Sequence, residues 1–272
     1  MEKVVARVVD KIKKESPQCI FFGERHQKAQ FNTSFFTLLT ESAEQLISNG
    51  YTRIFIELLA DSNEDLQSYF TNAIDIATFR AKWLKPNTFV SLIPDSCFAR
   101  LRTLAQQHKA SVTPFNKEDP GRDIFMYSKI FPGLETENKA IIWCGMAHAL
   151  QRPAEEKTDW SSCAELLSNS GATIFSMAQI SRDSLLDNRF DIKLEQILDS
   201  NGERGVCFDS EWGSYSETVI KETQIGIPEV LPEFTKQKLK IRFRHFNGIF
   251  VDPTRFLTIE EESLQQGNAA YL

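Results

Sequence analysis

The sequence predicts an α/β fold, a mainly parallel central sheet flanked by helices, with the active site at the C-terminal edge of the strands. Three observations carry this expectation. Short apolar runs such as Ile20-Phe21-Phe22 and Ile141-Ile142-Trp143-Cys144 alternate with longer segments whose apolar residues recur at helical spacing. That is the pattern of strand–helix–strand units, which cross over right-handed into a parallel sheet. Both runs lead into Gly-x-x-His, at Gly23–His26 and at Gly145–His148. The chain has only four histidines, and parallel strands would deliver these two to one edge, where open α/β sheets bind their ligands.

The elements follow in order. Val4–Lys14 alternates Val and Ile with charged residues and reads as an amphipathic helix. Cys19–Phe22 is a short buried strand. After a loop from Gln27, one of Asn32, Thr33 or Ser34 caps a helix with Phe35, Leu38, Leu39, Leu46 and Ile47 on one face, ended by Asn49-Gly50. Arg53–Glu57 is the second strand and finishes in a carboxylate. Asn63–Phe70 and Ile74–Trp83 read as helices, and Cys97–His108 as a helix feeding a strand at Ala110–Phe115. The Pro120-Gly121 turn opens a helix at Arg122–Phe131, before a strand at Ala140–Cys144. A helix at Cys163–Ser168 and a strand at Ala172–Met177 follow, with a short strand at Val206–Phe208. Lys238–Phe246 alternates basic and apolar residues, and Asn247-Gly248 carries a hairpin signal. With no repeat, low-complexity tract or linker, residues 1–272 read as a single α/β domain. Residues 178–240 form a possible insertion or cap.

Composition narrows the function classes. At 272 residues, 42% hydrophobic and 25% charged, the chain is an ordinary globular protein, and its net charge of −6 argues against nucleic acid as a partner. Five scattered cysteines without a CxxC pair resemble buried thiols in a reducing compartment. The N-terminus lacks the apolar stretch of a secretory signal, and no uncharged run approaches the ~20 residues of a membrane span. A cytoplasmic location is expected, export without a signal remaining open, and nothing indicates the oligomeric state.

The strand-end residues Glu24, His26, Glu57 and His148, with Arg122, form the candidate catalytic set. A glycine after each strand lets the backbone turn without a β-carbon clash and lets a ligand approach the main chain. Two imidazoles and two carboxylates can hold a divalent metal that activates water. Equally, one histidine can take the proton while a carboxylate fixes its tautomer. Arg122 suits a carboxylate or a developing oxyanion in either case. Other residues read as structural. Cys144 lies inside an apolar strand, where an inert thiol is expected. His108 ends a helix, and His245 belongs to a basic strand face. The serines lack a Gly-x-Ser-x-Gly elbow, and Walker and Rossmann fingerprints are absent.

At these residues the chain resembles the Tiki/TraB, erythromycin-esterase and ChaN-like superfamily. Gly23-Glu24-Arg25-His26 looks like the ChaN-type first motif, and Glu57 stands where the next strand carries its acid. Ser111–Asn116 is similar to the following strand, Arg122–Met126 to the arginine-led helix, and Gly145–His148 to the second motif. Phe246–Asp252 resembles the closing strand, which would place Asn247-Gly248 inside a strand and not in a turn. Tiki-like members are metal-dependent peptidases, erythromycin esterases hydrolyse a lactone without metal, and ChaN-like proteins bind haem. The resemblance therefore implies a hydrolase in which water attacks an ester, lactone or amide of a small-molecule or peptide substrate. In a metal-dependent version, His26, Glu57 and His148 would hold Mn, Co or Zn. The alternatives are a haem- or metal-binding protein and a toxin- or effector-like module without general catalysis.

Overall fold

A computed structural model of the chain describes residues 1–24, 33–83, 93–117, 121–136, 139–156, 160–181, 205–211, 219–225 and 237–252. His26 lies outside the described residues. Seven helices are present among them: α1 (Glu2–Glu15), α2 (Thr33–Leu46), α3 (Asn63–Phe70), α4 (Ile76–Trp83), α5 (Asp95–Gln107), α6 (Arg122–Ile130) and α7 (Cys163–Asn169). The strands are β1 (Cys19–Glu24), β2 (Arg53–Leu59), β3 (Ser111–Asn116), β4 (Ala140–Gly145), β5 (Ile174–Ser181), β6 (Gly205–Phe208), β7 (Val219–Ile225), β8 (Gln237–Arg242) and β9 (Gly248–Asp252).

Seven strands form one sheet in the order β3-β2-β4-β1-β5-β9-β6. Every neighbouring pair is parallel except β9 and β6, which run antiparallel at one edge. β7 and β8 make a separate antiparallel pair. Strand β4 lies between β1 and β2, so the Gly145 end of β4 is flanked by the strands that carry Glu24 and Glu57. This interleaving, and not sequence proximity, assembles the candidate site.

The sheet is covered on both faces, as near-continuous apolar strands require. Ile20, Phe22, Ile54, Ile56, Ile141 and Trp143 point to one core, filled by α1, α2 and α5 with Phe35, Phe36 and Phe98. Cys19, Phe21, Phe55, Ile142 and Cys144 point to the other, filled by α6 and α7 through Met126, Ile130 and Leu167. Period-2 alternation along each strand sorts the side chains between the two.

Two expectations change. The hairpin signal at Asn247-Gly248 does not hold, whereas the closing-strand resemblance does from Gly248 onward: β9 begins there, and Asn247 just before it ties the strand to β5. Its Oδ1 accepts the Ser176 N–H at 2.9 Å, and its own N–H donates to the Ser176 carbonyl at 2.8 Å. Nor is the basic run solvated throughout: Lys240 is exposed, but Arg242 and Arg244 are half-buried. β8 ends at Arg242, and in the tight turn that follows Arg244 and His245 join Arg242 on the Glu156 carboxylate. His245 is fully buried. Burial, then Arg242, Arg244 and Arg152, push its pKa down to about 4 against the pull of Glu165. The ring is thus neutral at pH 7, with Nδ1 accepting the Arg242 N–H and Nε2 donating to Glu156 at 2.8 Å.

Candidate functional site

Glu57 owes its position to an irregularity in β2. The β2–β3 register shifts between Ile56 and Leu59, where three steps along β2 match two along β3. Such a bulge re-aims the side chain beside it. Pairing of β2 with β4 stops at Ile56–Trp143, and the Glu57 carboxylate takes over: its Oε2 accepts the Gly145 N–H at 2.5 Å. Glu57 therefore lies within its strand, which runs on to Leu59, and is completely buried.

His148 follows from β4. Beyond Gly145 the chain enters a 3-10 turn, Met146–Ala149, which packs over the end of β1. Gly23 makes this possible. A Cβ there would stand 3.0 Å from both Ala149 Cβ and Met146 Cα and 3.2 Å from the Met177 carbonyl oxygen. Neither glycine serves as a sharp-turn residue. Gly23 lies inside β1, and Gly145, at φ −59°, donates its N–H to Glu57. Close approach is the reason for Gly23.

The His148 ring is held from one side by Asp123, the second residue of α6. Nδ1 lies 2.7 Å from Asp123 Oδ1. A carboxylate only accepts, so Nδ1 carries the hydrogen and Nε2 faces the other way. That nitrogen lies 3.7 Å from Glu57 Oε1, which is also 3.7 Å from an Arg122 guanidinium nitrogen. Exposure is graded outward: the side chains of Glu57, His148 and Arg122 are 0%, 12% and 41% exposed. The group opens to solvent on the Arg122 side. Burial alone would lower the His148 pKa; Asp123, by charge and hydrogen bond, and then Glu57 outweigh it against Arg122, and the net shift is upward from 6.5.

Asp123 is itself fixed by three donors. Besides His148, its Oδ1 accepts the Cys163 N–H at 2.7 Å, and its Oδ2 accepts the Trp160 indole N–H at 3.1 Å. The segment supplying both donors is built on a buried ion pair. Arg152 meets both Glu165 oxygens at 2.8 Å, donates to the Trp160 carbonyl at 2.7 Å and stacks on the indole at 4.8 Å. Ser162 and Glu165 close a capping box at the start of α7.

Of the residues predicted from sequence, Glu57, His148 and Arg122 thus converge. Glu24 ends β1 opposite Gly145 and is buried, while Gly23 faces the His148 turn. Asp123 and Trp160 were not among the predicted residues. Asp123 was legible in principle, because at helical spacing it shares the buried stripe of Met126 and Ile130. Cys144 is fully buried, and desolvation raises its pKa well above 9, as an inert thiol requires.

The donor set bears on a metal. Among the described residues no group of three His, Cys, Asp or Glu side chains is arranged to hold an ion. Glu57 Oε1 and His148 Nε2 could supply two ligands, but a guanidinium already lies at the same oxygen, where a cation would have to compete with it. The described residues alone therefore do not complete a metal centre, and His26, the third member of the expected ligand set, lies outside them. As an axial haem ligand, His148 fits no better, since its free-facing nitrogen meets a buried carboxylate and not an apolar slot.

No protein-family model matches the sequence, and no curated protein matches it significantly. Among solved structures, a Bacillus cereus protein superposes with a TM-score of 0.58 at 11% identity, over 90% of this chain and 91% of that one. A mutant of erythromycin esterase EreC in its open conformation gives 0.55 at 9% identity, over 88% and 91%. A succinoglycan biosynthesis protein gives 0.51 at 8%, over 90% of both. At these identities the likeness is one of fold, and it extends over nearly the whole length of each chain.

Proposed function

We propose that the protein is a hydrolase in which water attacks an ester, lactone or amide carbonyl without a metal ion. The observation that carries this reading is the His148 imidazole, pinned at Nδ1 by Asp123 and presenting Nε2 toward buried Glu57. A separation of 3.7 Å is too long for a direct hydrogen bond, and both atoms are acceptors, so a single water beside them can donate to each.

In this scheme neutral His148 takes a proton from water at Nε2 as the water oxygen bonds to the carbonyl carbon. Asp123 stabilises the imidazolium that results, and Glu57 accepts a hydrogen bond from the O–H that the water retains, orienting the nucleophile. The carbonyl π-bond electrons move to oxygen, and Arg122, the most exposed member, neutralises that oxyanion. When the tetrahedral adduct collapses, the leaving alkoxide or amine recovers the proton from His148. Glu24 and His26 belong to the same reading as residues of the strand edge, His26 as a second acid/base group. The resemblance of the motifs to erythromycin esterases and the shared fold support a carbonyl substrate, a small molecule or a peptide.

His148→Ala tests the scheme on a panel of generic esters, lactones and peptides. Turnover by the wild type and its loss in a folded variant is the expected result, and full activity in the variant overturns the reading.

A further inference from the structure

We infer that Trp160 is a positioning residue for the site: its indole N–H, held in place by the Arg152–Glu165 pair, fixes the Asp123 carboxylate and through it the His148 ring. Only the kinetic consequence rests on the hydrolase reading; the geometric consequence does not.

Asp123 is the pivot. Of the three donors on its carboxylate, His148 is the one whose orientation matters for chemistry, and the other two must keep the carboxylate from swinging. Cys163 N–H shares Oδ1 with His148, so by itself it leaves rotation about the carboxyl axis open. Trp160 is the donor described at Oδ2, and it completes a two-point grip. The indole in turn has little freedom. Its ring lies 4.8 Å from the Arg152 guanidinium carbon, and its carbonyl takes an Arg152 N–H. Arg152 is locked by the bidentate contact with Glu165, while Glu165 also accepts the main-chain N–H groups of Arg152 and Ser162. Every one of these groups is at least half-buried, where such bonds are costly to break. A buried ion pair is a poor source of stability but a good source of fixed geometry, and here its geometry ends on the carboxylate that sets the histidine.

The test uses NMR of the full chain. The four tryptophans give four indole N–H signals, and in the wild type the Trp160 signal should shift with pH at the same midpoint as the His148 ring. Trp160→Phe keeps the ring on Arg152 and removes the donor. In that variant the His148 midpoint should fall, because Asp123 swings off the Oδ1–Nδ1 line. With a substrate in hand, kcat should drop at least about tenfold with KM little changed, the sign of lost orientation and not of lost binding. A Trp160 signal blind to the His148 titration overturns the proposal. So does a folded Trp160→Phe protein whose His148 midpoint and pH–rate profile match wild type, whatever its melting temperature. If the wild type hydrolyses nothing, the hydrolase reading fails, and the wild-type NMR measurement still decides the role of Trp160.

Discussion

Asp123→Asn is the most incisive perturbation, because the side chain keeps its size and loses its charge. The asparagine oxygen can still accept from His148 and Cys163, at 2.7 Å each in the native site. Its NH2 group then confronts the Trp160 N–H, donor against donor at 3.1 Å. One hydrogen bond to a charged group is lost outright, worth about 1.5–3 kcal/mol, and two others fall from charge-assisted to neutral strength. A stability loss of about 3 kcal/mol is expected, read from chemical denaturation. The effect on His148 is larger in kind. Burial still disfavours the imidazolium, while the charge and hydrogen bond that outweighed burial are gone. The His148 midpoint, above 6.5 in the native protein, should drop below it. The amide also permits the opposite tautomer, in which Nε2 carries the hydrogen and cannot act as a base; hydrolysis should then fall by about 10²–10⁴, as when the orienting carboxylate of a catalytic triad is removed. NMR titration of the four histidines and a pH–rate profile read both effects. An unchanged His148 midpoint in a folded Asp123→Asn variant would refute this account.

Other outcomes follow from the same contacts. In the proposed scheme the neutral form of His148 acts as base, so hydrolysis should rise with pH through a midpoint above 6.5; a rate falling across that range contradicts the assignment. The raised His148 pKa also stabilises the fold fully below pH 6.5 and ceases to do so as pH climbs through its folded midpoint. His245 acts with the opposite sign. Its folded pKa of about 4 means stability is lost as pH falls from 6.5 toward 4, on the order of 3 kcal/mol in all. His245→Gln should flatten that acid limb in denaturation series, and an unaltered limb would count against the buried neutral ring. Gly23→Ala should cost about 1–3 kcal/mol in denaturant unfolding and disturb His148, because the new methyl meets Ala149 and Met146 at 3.0 Å. Dialysis against a chelator should leave melting temperature and turnover intact; loss of either, restored by Mn, Co or Zn, would bring back the metal-dependent reading.

The fold was largely legible because its strands and helices differ so clearly in period. Ile141–Cys144 has no helical spacing, and Phe35, Leu38, Leu39 and Leu46 have no other. The placement of β4 between β1 and β2 was not legible, since strand order depends on long-range packing that leaves no local mark. Glu57 was found as an acid at the end of an apolar run, yet the run continues to Leu59; what singles it out is a bulge, which depends on β3. Asp123 shares the buried stripe of its helix, but an acid in a first helical turn is also ordinary dipole compensation, so the stripe alone does not assign it a role. Only its partners, His148 25 residues on and Trp160 37 residues on, reveal its work. The Ser162–Glu165 capping box could have been read locally, but its link to Arg152 could not.

The position of β9 has a consequence for how the chain is made. It slots between β5 and β6, and Phe250 stacks on Phe35 of α2 at 5.6 Å. On a translating ribosome, β5 therefore emerges long before the strand that completes it, and its flank stays bare until residues 248–252 clear the exit tunnel. An unpaired apolar flank invites pairing with other chains. The nascent protein should thus be a chaperone client during that interval, and truncation before residue 248 should yield aggregates where a point mutant would yield a folded, less stable protein.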